Sequence, residues 1–167
     1  MRVRSIFPYA GLAAAAVVLD QVIKALVEAR LELEEPVPLS PFLALYRTYN
    51  TGIAFSMFSS FGDGVLVLLS LVVIGFVLYL AAGTRPEQML ARAGFALVVG
   101  GALGNLIDRL AYGHVIDYIL FHTPIFTFAV FNLADALISV GACLVMAIPA
   151  VLSALVFSQA RRMEPGR

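Results

Sequence analysis

The sequence predicts an all-α membrane protein of four transmembrane helices, with a small sheet-like platform and an interfacial helix outside the bilayer. Three observations carry that prediction. First, 61% of the 167 residues are hydrophobic and 13% are charged, with a mean hydropathy of +0.94. A soluble domain is about half apolar and about a quarter charged, and one this small leaves much of its surface in water. Lipid must therefore solvate most of this exterior. Second, four stretches are long and apolar enough to cross a hydrocarbon core, near 6–27, 64–82, 90–111 and 126–157; each crossing needs roughly 20 residues. Third, charge separates according to the side of the membrane that four spans imply.

The first span follows Arg2 and Arg4. Ala13–Ala16 offers small residues for a signal-peptide cleavage site. Against cleavage, the helical pattern continues through Val22, Ile23, Ala25 and Leu26. Segment 28–63 is the sizeable part outside the membrane. Pro36, Pro38 and Pro41 interrupt any helix there, and 43–49 has β-like patterning. Phe55, Met57, Phe58 and Phe61 suit a helix with one face in the headgroup layer better than a solvated loop. Spans two and three follow, joined by a turn flanked by Arg85 and Arg92. The fourth stretch exceeds what a bilayer requires, which predicts tilt, a bend near Pro149 or extension past the membrane.

Arg161, Arg162 and Arg167 close the chain. With four spans these arginines, Arg2, Arg4, Arg85 and Arg92 share one side, cytoplasmic by the positive-inside rule. Glu28, Glu32, Glu34, Glu35 and Asp63 fall opposite. Both termini are then cytoplasmic, and the chain reads as a single integral membrane domain, 1–167. Net charge is zero, so no basic footprint for nucleic acid exists. One cysteine, Cys143, excludes an internal disulfide, and two histidines with one cysteine do not make a usual zinc site.

Ionisable side chains inside a span are costly and need a reason. Asp20, Lys24, Asp108, Arg109, Asp117 and Asp135 gather at one depth, on the outer side. Asp20 and Lys24 are four apart and share a helix face, which favours a self-neutralised structural pair, although Lys24 can also position a substrate. Asn105, Asp108 and Arg109 repeat the spacing, with Asp108 the expected local partner of Arg109. Gly100, Gly101 and Gly104 let a neighbouring helix approach closely. Asp117 and Asp135 differ, because neither has a local basic partner. Asn132 precedes Asp135 by one helical turn and can orient its carboxylate. Two carboxylates in a partly dry site share a proton, as in aspartic peptidase chemistry; a proton relay or structural burial remains an alternative reading. His114 and His122 flank Asp117 as candidates to tune it. A serine–lysine dyad of Lys24 with Ser56, Ser59 or Ser60 lacks any further supporting residue.

Taken together, the segments resemble the lipoprotein signal peptidases (signal peptidase II) of bacterial cytoplasmic membranes. The resemblance runs from Asp20 to Gly141 through four ordered boxes. They are Asp20-Gln21-Val22-Ile23-Lys24; Asn50-Thr51-Gly52-Ile53-Ala54-Phe55-Ser56; Gly100 to Arg109, continuing to Val115-Ile116-Asp117-Tyr118; and Phe131-Asn132-Leu133-Ala134-Asp135. Departures include Ile53, Tyr118 and Ala136, where alanine, phenylalanine and serine are common, and the absence of a Trp-Pro pair before the last box. The resemblance implies an aspartic endopeptidase that removes signal peptides from prolipoproteins, cutting before a diacylglyceryl-modified cysteine. It implies Asp117 and Asp135 as catalytic, with support from Asp20, Lys24, Asn50, Gly52, Asn105, Asp108, Arg109 and Asn132. It further implies four transmembrane helices with a small β-cradle and a periplasmic helix, no metal or organic cofactor, contact with membrane lipid, and inhibition by globomycin-type compounds. A small proton-coupled transporter or proton-conducting protein is the rival reading; it predicts ion flux and no peptide cleavage.

Overall fold

The structure is a computed structural model that describes residues 7–52 and 64–147. Helix α1 (Phe7–Arg30) has 24 residues, about 36 Å at the usual rise, enough to cross a bilayer. It runs past the expected limit at residue 27 because Glu28, Ala29 and Arg30 are compatible with helix, and Leu31 N–H closes the last turn on Val27 O at 2.9 Å. Helix α2 (Gly64–Ala82) coincides with the predicted second span. Ile74 is its only buried residue, and Leu68, Leu71, Val72 and Phe76 stand exposed. Such an outward apolar surface is stable only against lipid. Helix α3 (Met89–Tyr112) is the central one, burying residues along its length, and packs against both α1 and α2. It ends at Gly113, in the left-handed conformation (φ 76°), whose N–H donates to Arg109 O at 3.1 Å. Three helices among the described residues are thus long and apolar enough to cross a membrane.

The other elements cap one end of this bundle. Strands β1 (Pro36–Ser40) and β2 (Leu43–Asn50) fall where the prolines and the β-like patterning predict a platform. The sheet is larger than expected. Strands β3 (Val115–Thr123) and β4 (Phe126–Thr127) join it in the order β1-β2-β3-β4, every neighbouring pair antiparallel. Residues 126–132 are consequently not the start of the fourth span. Thr127 pairs with His122, Phe131 bridges Ile119, and helix α4 (Leu133–Ala147) begins only after Asn132. An apolar run such as Phe126 to Phe131 reads alike as strand or helix by periodicity; pairing with β3 decides it. The helix predicted around Phe55–Phe61 and the end of the fourth span at 157 lie outside the described residues.

The sheet is seated on the end of α1. Ile116 and Tyr118 of β3 pack against Val27, with Ile23 and Leu31 beside them. Arg47 Nη1 donates to Glu28 O at 2.9 Å, and Tyr49 OH donates to Glu28 Oε1 at 3.3 Å. Strand β3 and the start of α4 are thereby fixed at the sheet end of the bundle, where the acidic residues collect.

Candidate active site

Asp117 is on β3, one strand over from Thr48, and Asn50 lies diagonally across on the same face. Asn50 Nδ2 donates to Asp117 Oδ2 at 2.9 Å. Asn50 Oδ1 in turn accepts Gly52 N–H at 2.8 Å, in a turn that needs Gly52 at φ 78°. This local turn aims the Asn50 amide. Asp135 reaches the same place from the first turn of α4. Asn132 is the N-cap residue: its Oδ1 accepts Asp135 N–H at 3.0 Å, and Asp135 Oδ2 accepts Asn132 N–H at 3.2 Å. This is a reciprocal capping box. Asn132 therefore precedes the helix rather than lying within it, as a span starting near 126 predicts.

Two amides join the carboxylates. Asn132 Nδ2 donates to Asp117 Oδ1 at 2.6 Å and to Asn105 Oδ1 at 3.1 Å. Asn105 Nδ2 donates to Asp135 Oδ1 at 2.8 Å. Each of the four carboxylate oxygens thus accepts one N–H and keeps a second acceptor position. Asp117 is buried, 2% exposed, whereas Asp135 is only partly buried. Burial pushes the Asp117 carboxyl up from 3.8 to about 6; Asp135 adds to the rise, while the Asn50 and Asn132 hydrogen bonds and Lys24 oppose it.

Behind the amides lies a buried ionic cluster. Lys24 Nζ is 2.8 Å from Asp20 Oδ2 and 2.7 Å from Asp108 Oδ2, and donates to Asn105 Oδ1 at 2.9 Å. All three ammonium protons have acceptors. The expected Asp20–Lys24 pair is present, with Asp108 as a third member. Gly104 of α3 makes this possible: a Cβ there would lie 2.5 Å from Asp20 Oδ2. Arg109 is a correction. Asp108 is taken by Lys24 and by Gln21 Nε2 (2.8 Å), and Arg109 reaches only Asn105 O, at 3.5 Å. Its guanidinium makes no salt bridge among the described residues.

Two contributors were not assigned from sequence. Gln21 bridges Gly104 O (3.2 Å) and Asp108; it lies inside the first box, one residue from Asp20. Tyr118 OH accepts Leu133 N–H at 3.1 Å. His114 stacks on Tyr49, with ring centroids 4.0 Å apart, and makes no hydrogen bond to Asp117. Cys143 is exposed on α4, and Ser56, Ser59 and Ser60 lie outside the described residues. No group of three or more His, Cys, Asp or Glu among the described residues is placed to hold a metal.

Apolar helices capped by a small sheet, with two carboxylates braced by shared amides at their junction, define a multi-pass membrane protein with the constellation of an aspartic peptidase. Comparison with known proteins agrees. A family model described as Signal peptidase (SPase) II, Peptidase_A8, matches residues 12–151. A lipoprotein signal peptidase of Mesorhizobium japonicum is 66% identical over 143 residues, covering 86% of this chain and 85% of that one. Another, from Brucella ovis, is 57% identical over 131 residues, covering 78% and 82%. A bacterial membrane enzyme solved by the in meso method at 1.9 Å resolution superposes with a TM-score of 0.75 at 26% identity, covering 86% of this chain and 92% of that one. A second such structure, at 2.3 Å, gives a TM-score of 0.72 at 25% identity and covers 97% and 95%. The chain belongs to the signal peptidase II family.

Proposed function

We propose that this chain removes signal peptides from prolipoproteins, with Asp117 and Asp135 as its catalytic dyad. The observation that carries the assignment is the Asn132 bridge, which donates to Asp117 while capping the helix turn that holds Asp135. The dyad works with one proton. Asp117, deeper and pushed up to about 6, holds it; Asp135, partly exposed at a helix N-terminus that favours negative charge, is the base. Asp135 takes a proton from water as the oxygen attacks the scissile carbonyl carbon, and Asp117 gives its proton to the carbonyl oxygen. The tetrahedral intermediate collapses when Asp135 passes its proton to the leaving amine. One hydroxyl of the intermediate returns a proton to Asp117, leaving the acid product and restoring the dyad.

The substrate class is a prolipoprotein carrying diacylglyceryl on the cysteine after the scissile bond, its acyl chains remaining among membrane lipids. Arg109, without a carboxylate partner among the described residues, is free to hold substrate backbone carbonyls. Asn50, Gly52, Asn105 and Asn132 brace the dyad, and Asp20, Lys24 and Asp108 anchor that bracing. The chain is a single domain, 1–167, of four spans in the bacterial cytoplasmic membrane, termini inside and dyad at the outer face. The positive-inside distribution supports this orientation. The sheet serves as a cradle beside the dyad, and globomycin-type compounds are expected to compete with substrate. Asp117→Asn and Asp135→Asn, each purified and inserted normally, should release no signal peptide from a diacylglyceryl prolipoprotein. Full activity in either variant overturns the assignment.

A further inference from the structure

The first four backbone N–H groups of a helix have no partner within it. In α4 this end carries Asp135, so what holds it also holds the dyad. Asn132 N–H and Asp135 N–H are satisfied by the capping box. The other two are satisfied from elsewhere in the chain. Ala134 N–H donates to Asp20 Oδ1 of α1 at 3.0 Å, and Leu133 N–H donates to Tyr118 OH of β3 at 3.1 Å. Tyr118 is 5% exposed, and its ring is part of the packed cluster with Val27 and Ile116. The neighbouring residue on β3 is Asp117, which Asn132 binds. Two consecutive β3 side chains therefore grip two consecutive residues at the start of α4. The backbone adds a third attachment, through Tyr118 and Ile119 N–H to Phe131 O at 3.1 and 2.8 Å.

We propose that Tyr118 is a positioning residue for the reaction: its phenol oxygen accepts the first amide of α4 and fixes the helix end bearing Asp135 against the strand bearing Asp117. The inference rests on the dyad reading above. Burial pushes the phenol up to about 12, so it stays neutral through the working pH range and acts through a lone pair.

Tyr118→Phe keeps the ring and its packing and removes only the acceptor. The expected result is a fall of about tenfold in kcat, as for one lost hydrogen bond of about 1.4 kcal/mol, with KM unchanged. A looser α4 end also admits water and weakens the influence of Asp135 on Asp117, so the alkaline limb of the pH profile moves to lower pH. Leu133→Pro tests the donor side. Proline suits the first position of a helix and has no N–H to satisfy, so with Tyr118→Phe the two losses should not add. Wild-type kcat and pH profile in Tyr118→Phe, or additive losses in the double variant, overturn the proposal. Because Tyr118→Phe is read beside Asp117→Asn and Asp135→Asn, the two readings fail separately. An inert Tyr118→Phe with dead aspartate variants sinks only the positioning role; active aspartate variants sink the dyad.

Discussion

Lys24→Met separates what the buried cluster does from what the dyad does. Methionine matches the length and flexibility of the lysine stem but removes all three donors. Lys24 is 1% exposed, and Asp20 and Asp108 are 0% exposed. Both acids keep other donors. Ala134 N–H remains for Asp20, and Gln21 with Ile116 N–H (3.3 Å) remains for Asp108. They nonetheless become two buried carboxylates without a cation. Breaking a buried ion pair by deleting one partner costs about 3–5 kcal/mol, which corresponds to a drop of about 6–20 °C in Tm for a chain of this size. The assay is thermal unfolding of the purified protein in one detergent at neutral pH. Adding Asp108→Asn should recover part of the loss, because one stranded charge is removed. Lys24→Met melting within about 2 °C of the wild type would refute the argument that Lys24 compensates this charge.

The pH dependence follows from the Asp117 carboxyl, which burial raises. The proposed mechanism requires a proton on Asp117, so kcat/KM should decline above about pH 6, the value to which burial raises that group. Asn50→Ala removes a hydrogen bond that favours the charged form, and should move the limb to higher pH; an unmoved or lowered limb contradicts the geometry. The same shift makes a stability statement. A carboxyl raised from 3.8 to about 6 on folding contributes stability that is fully present below 3.8 and lost as pH rises through about 6, up to about 3 kcal/mol in all. Asp117→Asn removes that dependence, so its stability relative to wild type should improve between pH 4 and pH 8 in paired melting curves. A constant difference across that range argues against the burial effect.

Local spacing explains which of these features the sequence discloses. Gly64–Ala82 is nearly uniform in hydrophobicity and borders a charged turn, so its limits are legible. Asp20 and Lys24 are four apart on one helix, and their pairing is legible for the same reason. Asp108 is invisible as their third member because its contacts are made across the bundle, as is the Asp20 contact with Ala134, 114 positions away. The expected Asp108–Arg109 pair fails on elementary grounds: adjacent helical residues do not face each other. Asp108 pairs with Lys24 in the cluster, whereas Arg109 reaches only the Asn105 carbonyl. Strand β3 hides because Val115 to Phe121 is a short apolar run beside a long helix, and only its pairing with Leu43–Asn50 makes it a strand. Asp117 and Asp135 stand out as unpartnered acids, but their bracing by Asn50, Asn105 and Asn132 is tertiary.

Asn132 has two jobs that a single substitution can divide. Its Oδ1 caps α4 by accepting Asp135 N–H, and its Nδ2 donates to Asp117 and Asn105. Aspartate caps a helix about as well as asparagine, so Asn132→Asp preserves the first job. It abolishes the second and sets a third carboxylate 2.6 Å from Asp117, where the amide nitrogen stood. Like charges at that separation hold an extra proton between them. The variant should therefore keep its fold in circular dichroism and, at acidic pH, its thermal melting, while its kcat at neutral pH falls by about a hundredfold, in the range of one lost charge-assisted hydrogen bond. Asn132→Ala loses the cap as well, at a cost of about 1 kcal/mol, and should melt lower than Asn132→Asp at acidic pH, where the added carboxylate is protonated. If Asn132→Asp retains wild-type kcat, the amide does not brace the dyad. The shared-asparagine account of how β3 and α4 act together would then be wrong, even with both aspartates essential.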